Sequence, residues 1–520
     1  MGRTLMILEV SRKQDYIFSS KQLRENAIRS EDISRVTGSH FFREVAGELY
    51  REEENLVYSG GGHTVLQFSD QDTAVRFART VSAAAMRQYD GMELFIKQIP
   101  YAGEKLPSEN LKALTEALEA KKALRKSSFR QMSFGVERLD PADYTALQVK
   151  DKDIRRPAEH LPPPEGWQFP NLFSVLAGED PFIAVVHVDG NAMGKRVQKL
   201  YERSGGADWE TCRRSLQRFS SGIQADFERA FQKTVETLLR EWPELKKQAF
   251  QKAVEALDRE EPELKKLELP IRPVILAGDD VCFVTAGSLG LECARVFLEE
   301  LTKMKNQEDG LPYAACAGVA LVHQKYPFHQ AYDLAEELCS SAKRFGAELD
   351  EEGRVCAMDW HIEFGQIKGT LAQSRVDYET EDGNRLELRP VVVAAPQDVP
   401  LEKIGVRTYD FFRGMCRAMQ GEYGKTARSK IKDLRTAFKQ GVVESRFFLR
   451  EKEISDLLYH VFLAKYPTEQ ARMEQYRKML EEKGAIHKEP FEEIGGVRRC
   501  LFFDSIELID HCTFLEEVEV

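Results

Sequence analysis

The sequence has no C-x-x-C pair, no long apolar run and no excess of positive charge. Its nine cysteines are scattered, which argues against a zinc ribbon and against a secreted disulfide framework, and makes a reducing cytoplasm the expected setting. No apolar stretch approaches the roughly 18 residues of a membrane span. The N-terminal run MGRTLMILEV carries Glu9 inside it and reads as a strand rather than a signal peptide, so no membrane partner is expected. The net charge of −11 argues against autonomous binding of long nucleic acid, which usually requires a basic surface. What the chain does have is length: 520 residues, 42% hydrophobic and 31% charged, enough for several cores.

Two stretches carry chemistry. Ile271–Thr285, IRPVILAGDDVCFVT, places two β-prone runs on either side of Ala277-Gly278-Asp279-Asp280 and predicts a hairpin with two adjacent carboxylates at its tip. Side-by-side acids repel and resist desolvation, and a hard divalent cation relieves both costs. A solvated Gly-Asp turn would look the same in sequence. The second stretch, Phe182–Lys195, is FIAVVHVDGNAMGK. It predicts a buried strand ending at Asp189, a loop with Gly190 and Gly194, and then a helix. Loop amides there can approach phosphate oxygens, and Lys195 can add charge. If this strand pairs beside the hairpin, Asp189 meets Asp279 and Asp280, and three carboxylates can serve two cations. His187 shares the strand face of Asp189 by alternation and reads as a half-buried histidine.

Taken in order, the chain predicts an α+β protein. Residues 1–100 read as strand, helix, hairpin, helix and strand, the ferredoxin-like split unit. The same order returns over 181–365, interrupted by a charged helical insert at 200–269 that contains PELKK twice. Residues 101–180 form a mixed linker, and 366–520 a β connector followed by a helical domain. The repeated order predicts two diverged copies of one domain. Side by side, Tyr58–Gly62 falls on Leu276–Asp280 and Ser11 near Asp189. In that register the first copy lacks all three acids and offers only a glycine-rich turn, Ser59-Gly60-Gly61-Gly62. A donor nucleotide is then expected on the acidic copy and a second nucleotide on the glycine copy.

The ordered set of SGGG turn, DGNAMGK strand-loop, GDD hairpin, the stretch from Tyr326-Pro327-Phe328 to Lys343 and a helical tail resembles the large palm subunit of type III CRISPR effector complexes. That family carries two palm domains related to GGDEF and adenylyl cyclase folds, and many members make cyclic oligoadenylates from ATP. The resemblance implies metal ligation by Asp189, Asp279, Asp280 and the Gly190 carbonyl, with Mg2+ or Mn2+ as the ion. It implies nucleotide contacts from Ser59, Gly60, Gly61, Gly62, Gly190, Lys195, Gly278 and Lys343, the last matching a helix lysine that reaches the triphosphate in related cyclases. It also implies effector subunits and guide RNA as partners. The chain departs from the pattern at Ala277, where the family has glycine, and at Asn191, where an acid is often found. No HD nuclease segment precedes the first palm, so DNA cleavage by that route is not expected, and a stripped-down or stand-alone relative is.

The expected activity is metal-dependent nucleotidyl transfer: a 3′-hydroxyl attacks an α-phosphate, pyrophosphate leaves, and cyclic or linear oligonucleotides result. Two alternatives remain open: an inert scaffold within an RNA-guided assembly, and a simple nucleotide or dinucleotide cyclase.

Overall fold

The computed structural model describes residues 3–20, 22–89, 91–124, 161–177, 180–203, 208–245, 267–365, 370–453, 475, 478 and 490–515. Residues 246–266 of the charged insert, 125–160 of the linker and 454–474 of the helical domain lie outside the described residues. Among the described residues, no helix is long and apolar enough to cross a membrane.

The first palm contains β1 (Thr4–Ser11), α1 (Leu23–Val36), β2 (Leu56–Gly60), β3 (His63–Phe68), α2 (Gln71–Gln88), β4 (Glu93–Pro100) and α3 (Pro107–Ala123). Its sheet runs β2-β3-β1-β4, antiparallel throughout. Strand alternation sorts β1 between two faces. Met6, Leu8 and Val10 join Ile33, Val36, Phe77 and Val81 under α1 and α2. Leu5 and Ile7 join Leu111, Leu114 and Leu118 under α3. The start of α2 is fixed by Asp70, whose carboxylate accepts from the Thr73 amide at 2.8 Å and satisfies a first-turn donor.

The second palm repeats the plan with β5 (Phe182–Gly190), α4 (Met193–Arg203), α5 (Trp209–Leu245), β6 (Ile271–Ala277), β7 (Asp280–Ala286), α6 (Gly290–Thr302), β8 (Ala315–His323) and α7 (Phe328–Leu349). Its sheet, β10-β9-β8-β5-β7-β6, is widened by β9 (Cys356–Ile362) and β10 (Val391–Ala394). Ala184, Val186 and Val188 of β5 face α5 and α6. Ile183 and Val185 face α7. Nearly every residue of β5 is apolar because helices cover both faces of the sheet.

The two palms interlock. Val274 and Ile275 of β6 enter the apolar cluster that holds α1 of the first palm. Trp209, Cys212 and Leu216 of α5 enter the cluster under α3. Each palm thus lends a helix to the other's edge hairpin.

The C-terminal helices α8 (Tyr409–Gln420), α9 (Glu422–Lys439) and α10 (Val442–Glu451) pack with the hairpin β11 (Phe491–Ile494), β12 (Val497–Cys500) and with α11 (Phe503–Leu508). Thr408 caps α8 through the Phe411 amide at 3.2 Å. This domain is held to the palm partly by buried charge. Tyr409 donates to Glu292 of α6 at 2.7 Å, and Arg389 lies fully buried between Asp504 and Glu507, at 2.8 and 3.0 Å.

Candidate active site

Asp189 is the penultimate residue of β5, and Asp280 is the first residue of β7; the two are direct cross-strand partners. Asp279 occupies the turn before Asp280. The turn closes because Gly278 takes a φ of +71°, a left-handed value that costs glycine nothing. The Gly190 amide donates to the Asp279 carbonyl at 3.1 Å. A side chain at Gly190 would meet Asp279 Cβ at 2.8 Å, so the bare backbone lets the two segments approach. Three acids separated by about ninety residues of chain therefore meet at one corner of the sheet.

Their crowding has an electrostatic cost. Burial, then the charge of Asp189, pushes the Asp279 carboxyl up to about 6. The same two causes, in the same order, push Asp280 up to about 7. Among the described residues, Asp280 Oδ1 is sealed from solvent without a hydrogen-bond partner, although 47% of the side chain as a whole is exposed. The nearest cationic candidate, His187 Nδ1, is 3.7 Å away, and burial lowers that imidazole's pKa, favouring its neutral form.

Lys343 of α7 brings the balancing charge. Its ammonium donates to Asp189 Oδ2 at 2.5 Å and to the Gly190 carbonyl at 2.9 Å. Among the described residues, no three acid, histidine or cysteine side chains are drawn together into an ion cage. The donor set nevertheless fits a hard divalent cation: two carboxylates raised by burial and then by the charge of Asp189, one orphaned carboxylate oxygen, and a carboxylate–carbonyl pair that already grips a positive charge.

The other expected site residues divide. The turn of the first palm, Gly60-Gly61-Gly62, faces the acidic turn, with a side chain at Gly278 reaching to 3.9 Å from the Gly61 amide nitrogen. Ser59 does not offer its hydroxyl: Oγ donates to the Thr37 carbonyl at 3.3 Å and shares a hydrogen bond with Thr64. Lys195 is exposed and donates to the Glu351 carbonyl at 2.9 Å instead of turning to the acids. Asn191 clamps its loop by donating to the Val355 carbonyl at 2.8 Å. The Ala277 methyl packs against the apolar cluster beside Ile275.

The register between the copies differs from the sequence expectation. The Val10 amide donates to the Gly62 carbonyl at 3.1 Å, as Gly190 does to Asp279. Arg12 and Ala192, two residues further on, both take a left-handed φ, 51° and 56°. Glu9 pairs with His63 as Asp189 pairs with Asp280. The counterpart of Asp189 is therefore Glu9 and not Ser11, that of Asp279 is Gly62, and that of Asp280 is His63. The first copy keeps one acid in place, and Lys122 of α3 grips it at 2.8 Å as Lys343 grips Asp189. Lys13 donates to the Gly61 carbonyl and packs on Gly62. His63, Lys122 and Lys13 carry no mark in the sequence, and Glu9 stands there only as an acid within an apolar run. The phase of β1 held the signal: Glu9 lies on the strand face of Leu5 and Ile7, as Asp189 lies on that of Ile183 and Val185.

The family model of the Cas10/Cmr2 second palm domain matches residues 182–349. The second palm is of the Cas10/Cmr2 type. A search of curated proteins finds no match. Among solved structures, a Csm1-Csm4 cassette in complex with cA4 is similar at 15% identity and TM-score 0.53, over 98% of this chain and 70% of that one. The cassette in complex with pppApApA gives 14%, 0.50, 98% and 69%. A third, in complex with cA3, gives 15% identity and TM-score 0.44; this chain spans 55% of that chain's length. The Cas10/Cmr2 match covers β5 to α7, the segment that carries Asp189, Asp279, Asp280 and Lys343.

Proposed function

We propose that the chain is a metal-dependent nucleotidyltransferase that joins ATP into cyclic or linear oligoadenylates, as a palm subunit of a type III CRISPR system. The observation that carries this reading is the meeting of Asp189, Asp279 and Asp280 across from a glycine turn in a Cas10/Cmr2-type palm. The raised pKa values of Asp279 and Asp280 make their charged forms expensive unless a cation joins them.

Asp189, Asp279, Asp280 and the Gly190 carbonyl would hold Mg2+ or Mn2+. Such an ion lowers the pKa of an attacking hydroxyl and neutralises a leaving pyrophosphate. The chain's own groups do the rest. Gly278 and Gly61 leave no side chain where the two turns approach, so a nucleotide held at each turn can lie against the other. The acidic turn takes the donor triphosphate; the turn of the first palm takes the nucleotide whose 3′-hydroxyl attacks. Lys343, released from Asp189, neutralises phosphate charge. Neutral His187 does not serve as the base, since it is sealed in the strand. Among effector subunits, a Csm4-type partner is supported by the Csm1-Csm4 likeness in fold, and guide RNA would enter through such partners.

The test is product analysis by mass spectrometry, with Mg2+ or Mn2+ and each nucleoside triphosphate, for wild type and for Asp279→Ala with Asp280→Ala. Oligoadenylate from wild type, lost in the double variant, is expected. Turnover that survives the double substitution overturns the mechanism, and a cyclic mononucleotide product would assign a simple cyclase.

A further inference from the structure

Helix α5 touches both turns with a single face. Ser220 and Gln224 stand one helical turn apart and so project side by side. Ser220 Oγ donates to the Ser59 carbonyl at 2.6 Å, on the strand that enters the first palm's turn. Gln224 spans the acidic turn: Nε2 donates to the Leu276 carbonyl at 3.1 Å, and Oε1 accepts from the Gly278 amide at 2.5 Å. Nε2 also donates to Glu228, which fixes the orientation of the side-chain amide.

The helix is itself pinned along its axis at the same level. Gly222, between the two contacts, lies so close to Asn306 that a side chain there would meet Nδ2 at 2.8 Å. Asn306 donates to the Phe219 carbonyl at 3.0 Å and to Tyr313 Oη at 2.9 Å. Motion of α5 is therefore resisted at the point from which it holds both turns.

We propose that Gln224, seconded by Ser220, is a positioning residue that sets the register of one turn against the other, and with it the separation of the attacking hydroxyl from the α-phosphate. The inference rests on the transferase reading above. Neither side chain touches the reacting atoms in that reading; each acts through the backbone of a hairpin that ends in one of the two turns. Transfer between two bound nucleotides requires reacting atoms held about 3–3.5 Å apart, and a misplacement of about 1 Å can cost about 100-fold in rate. A hairpin turn held only by its own two strands is a soft place to set such a distance, whereas a pinned helix is a stiff one.

The test uses the full chain with Gln224→Met, which keeps length and bulk but makes neither bond, and Ser220→Ala. Expected for Q224M is a kcat about 10- to 100-fold lower with KM for ATP within about threefold, an unchanged melting midpoint, and a product distribution moved toward short linear species. S220A is expected to show the same pattern more weakly. Hydrogen exchange at the Gly278 amide is expected to quicken in Q224M. Wild-type kcat in Q224M overturns the inference, as does a parallel loss of kcat and affinity with a lowered midpoint, which would mark a purely structural role. Should wild type itself make no product, the transferase reading fails separately. The Gly278 exchange then decides whether Gln224 holds the turn, and an unchanged rate overturns that as well.

Discussion

Replacing Asp280 by Asn should stabilise the metal-free protein by an amount that grows from about pH 4 and is complete above about pH 7. Asp280 rises from 3.8 to about 7, first through burial and then through Asp189. The native state therefore keeps a proton that the unfolded chain has released between about pH 4 and pH 7. Stability falls as pH rises through that window and is level above it, because the folded pKa lies above the unfolded one. At about 1.4 kcal/mol for each tenfold step, the ceiling is about 4 kcal/mol. Exposure of 47% of the side chain lets solvent screen the repulsion, so about 1–2 kcal/mol is the expected net effect. Thermal melts with a chelator should show the D280N midpoint about 2–6 °C above wild type at pH 8 and level with it at pH 4. Mg2+ should close the gap by stabilising wild type alone. A D280N protein less stable than wild type at pH 8, or offset equally at both pH values, would refute the reasoning.

Two other substitutions test charge pairs, one at the acidic corner and one in the C-terminal domain. Lys343→Met removes the ammonium that holds Asp189 Oδ2 and the Gly190 carbonyl; Mn2+ binding followed by electron paramagnetic resonance should tighten by about 5- to 30-fold, the worth of about 1–2 kcal/mol, while weaker binding would contradict a shared position. Arg389→Met strands the buried carboxylates of Asp504 and Glu507, so chemical denaturation should report a loss of about 3–5 kcal/mol in the C-terminal domain, and a neutral result would mean that water reaches them.

Much of this architecture was legible in the residues. FIAVVHVDG declared a doubly covered strand closed by an acid, and IRPVILAGDDVCFVT a hairpin; the α+β order of two palms and a helical tail stands. The register between the copies was not legible from the turns. SGGG contains three glycines and no side chain to phase them, so a shift of one residue leaves the pattern unchanged. The alternation of β1 does carry the phase, since Leu5 and Ile7 share a face with Glu9 as Ile183 and Val185 do with Asp189. Lys195 drew attention by lying next to the loop, but the helix that follows carries it out to Glu351. The opposite holds for Lys343, distant in sequence and delivered to Asp189 by the packing of α7 on β5. Gln224 sits in a charged, amphipathic helix with nothing to mark it, because its partners in the acidic hairpin are backbone groups more than fifty residues away.

The most direct measurement is an anomalous difference map from crystals of the chain grown with Mn2+ and a non-hydrolysable ATP analogue. The account predicts a manganese peak bounded by Asp189, Asp279, Asp280 and the Gly190 carbonyl, with the Lys343 ammonium withdrawn from Asp189 toward the phosphates. Nucleotide bound with no manganese at that corner, and Lys343 still on Asp189, would contradict it.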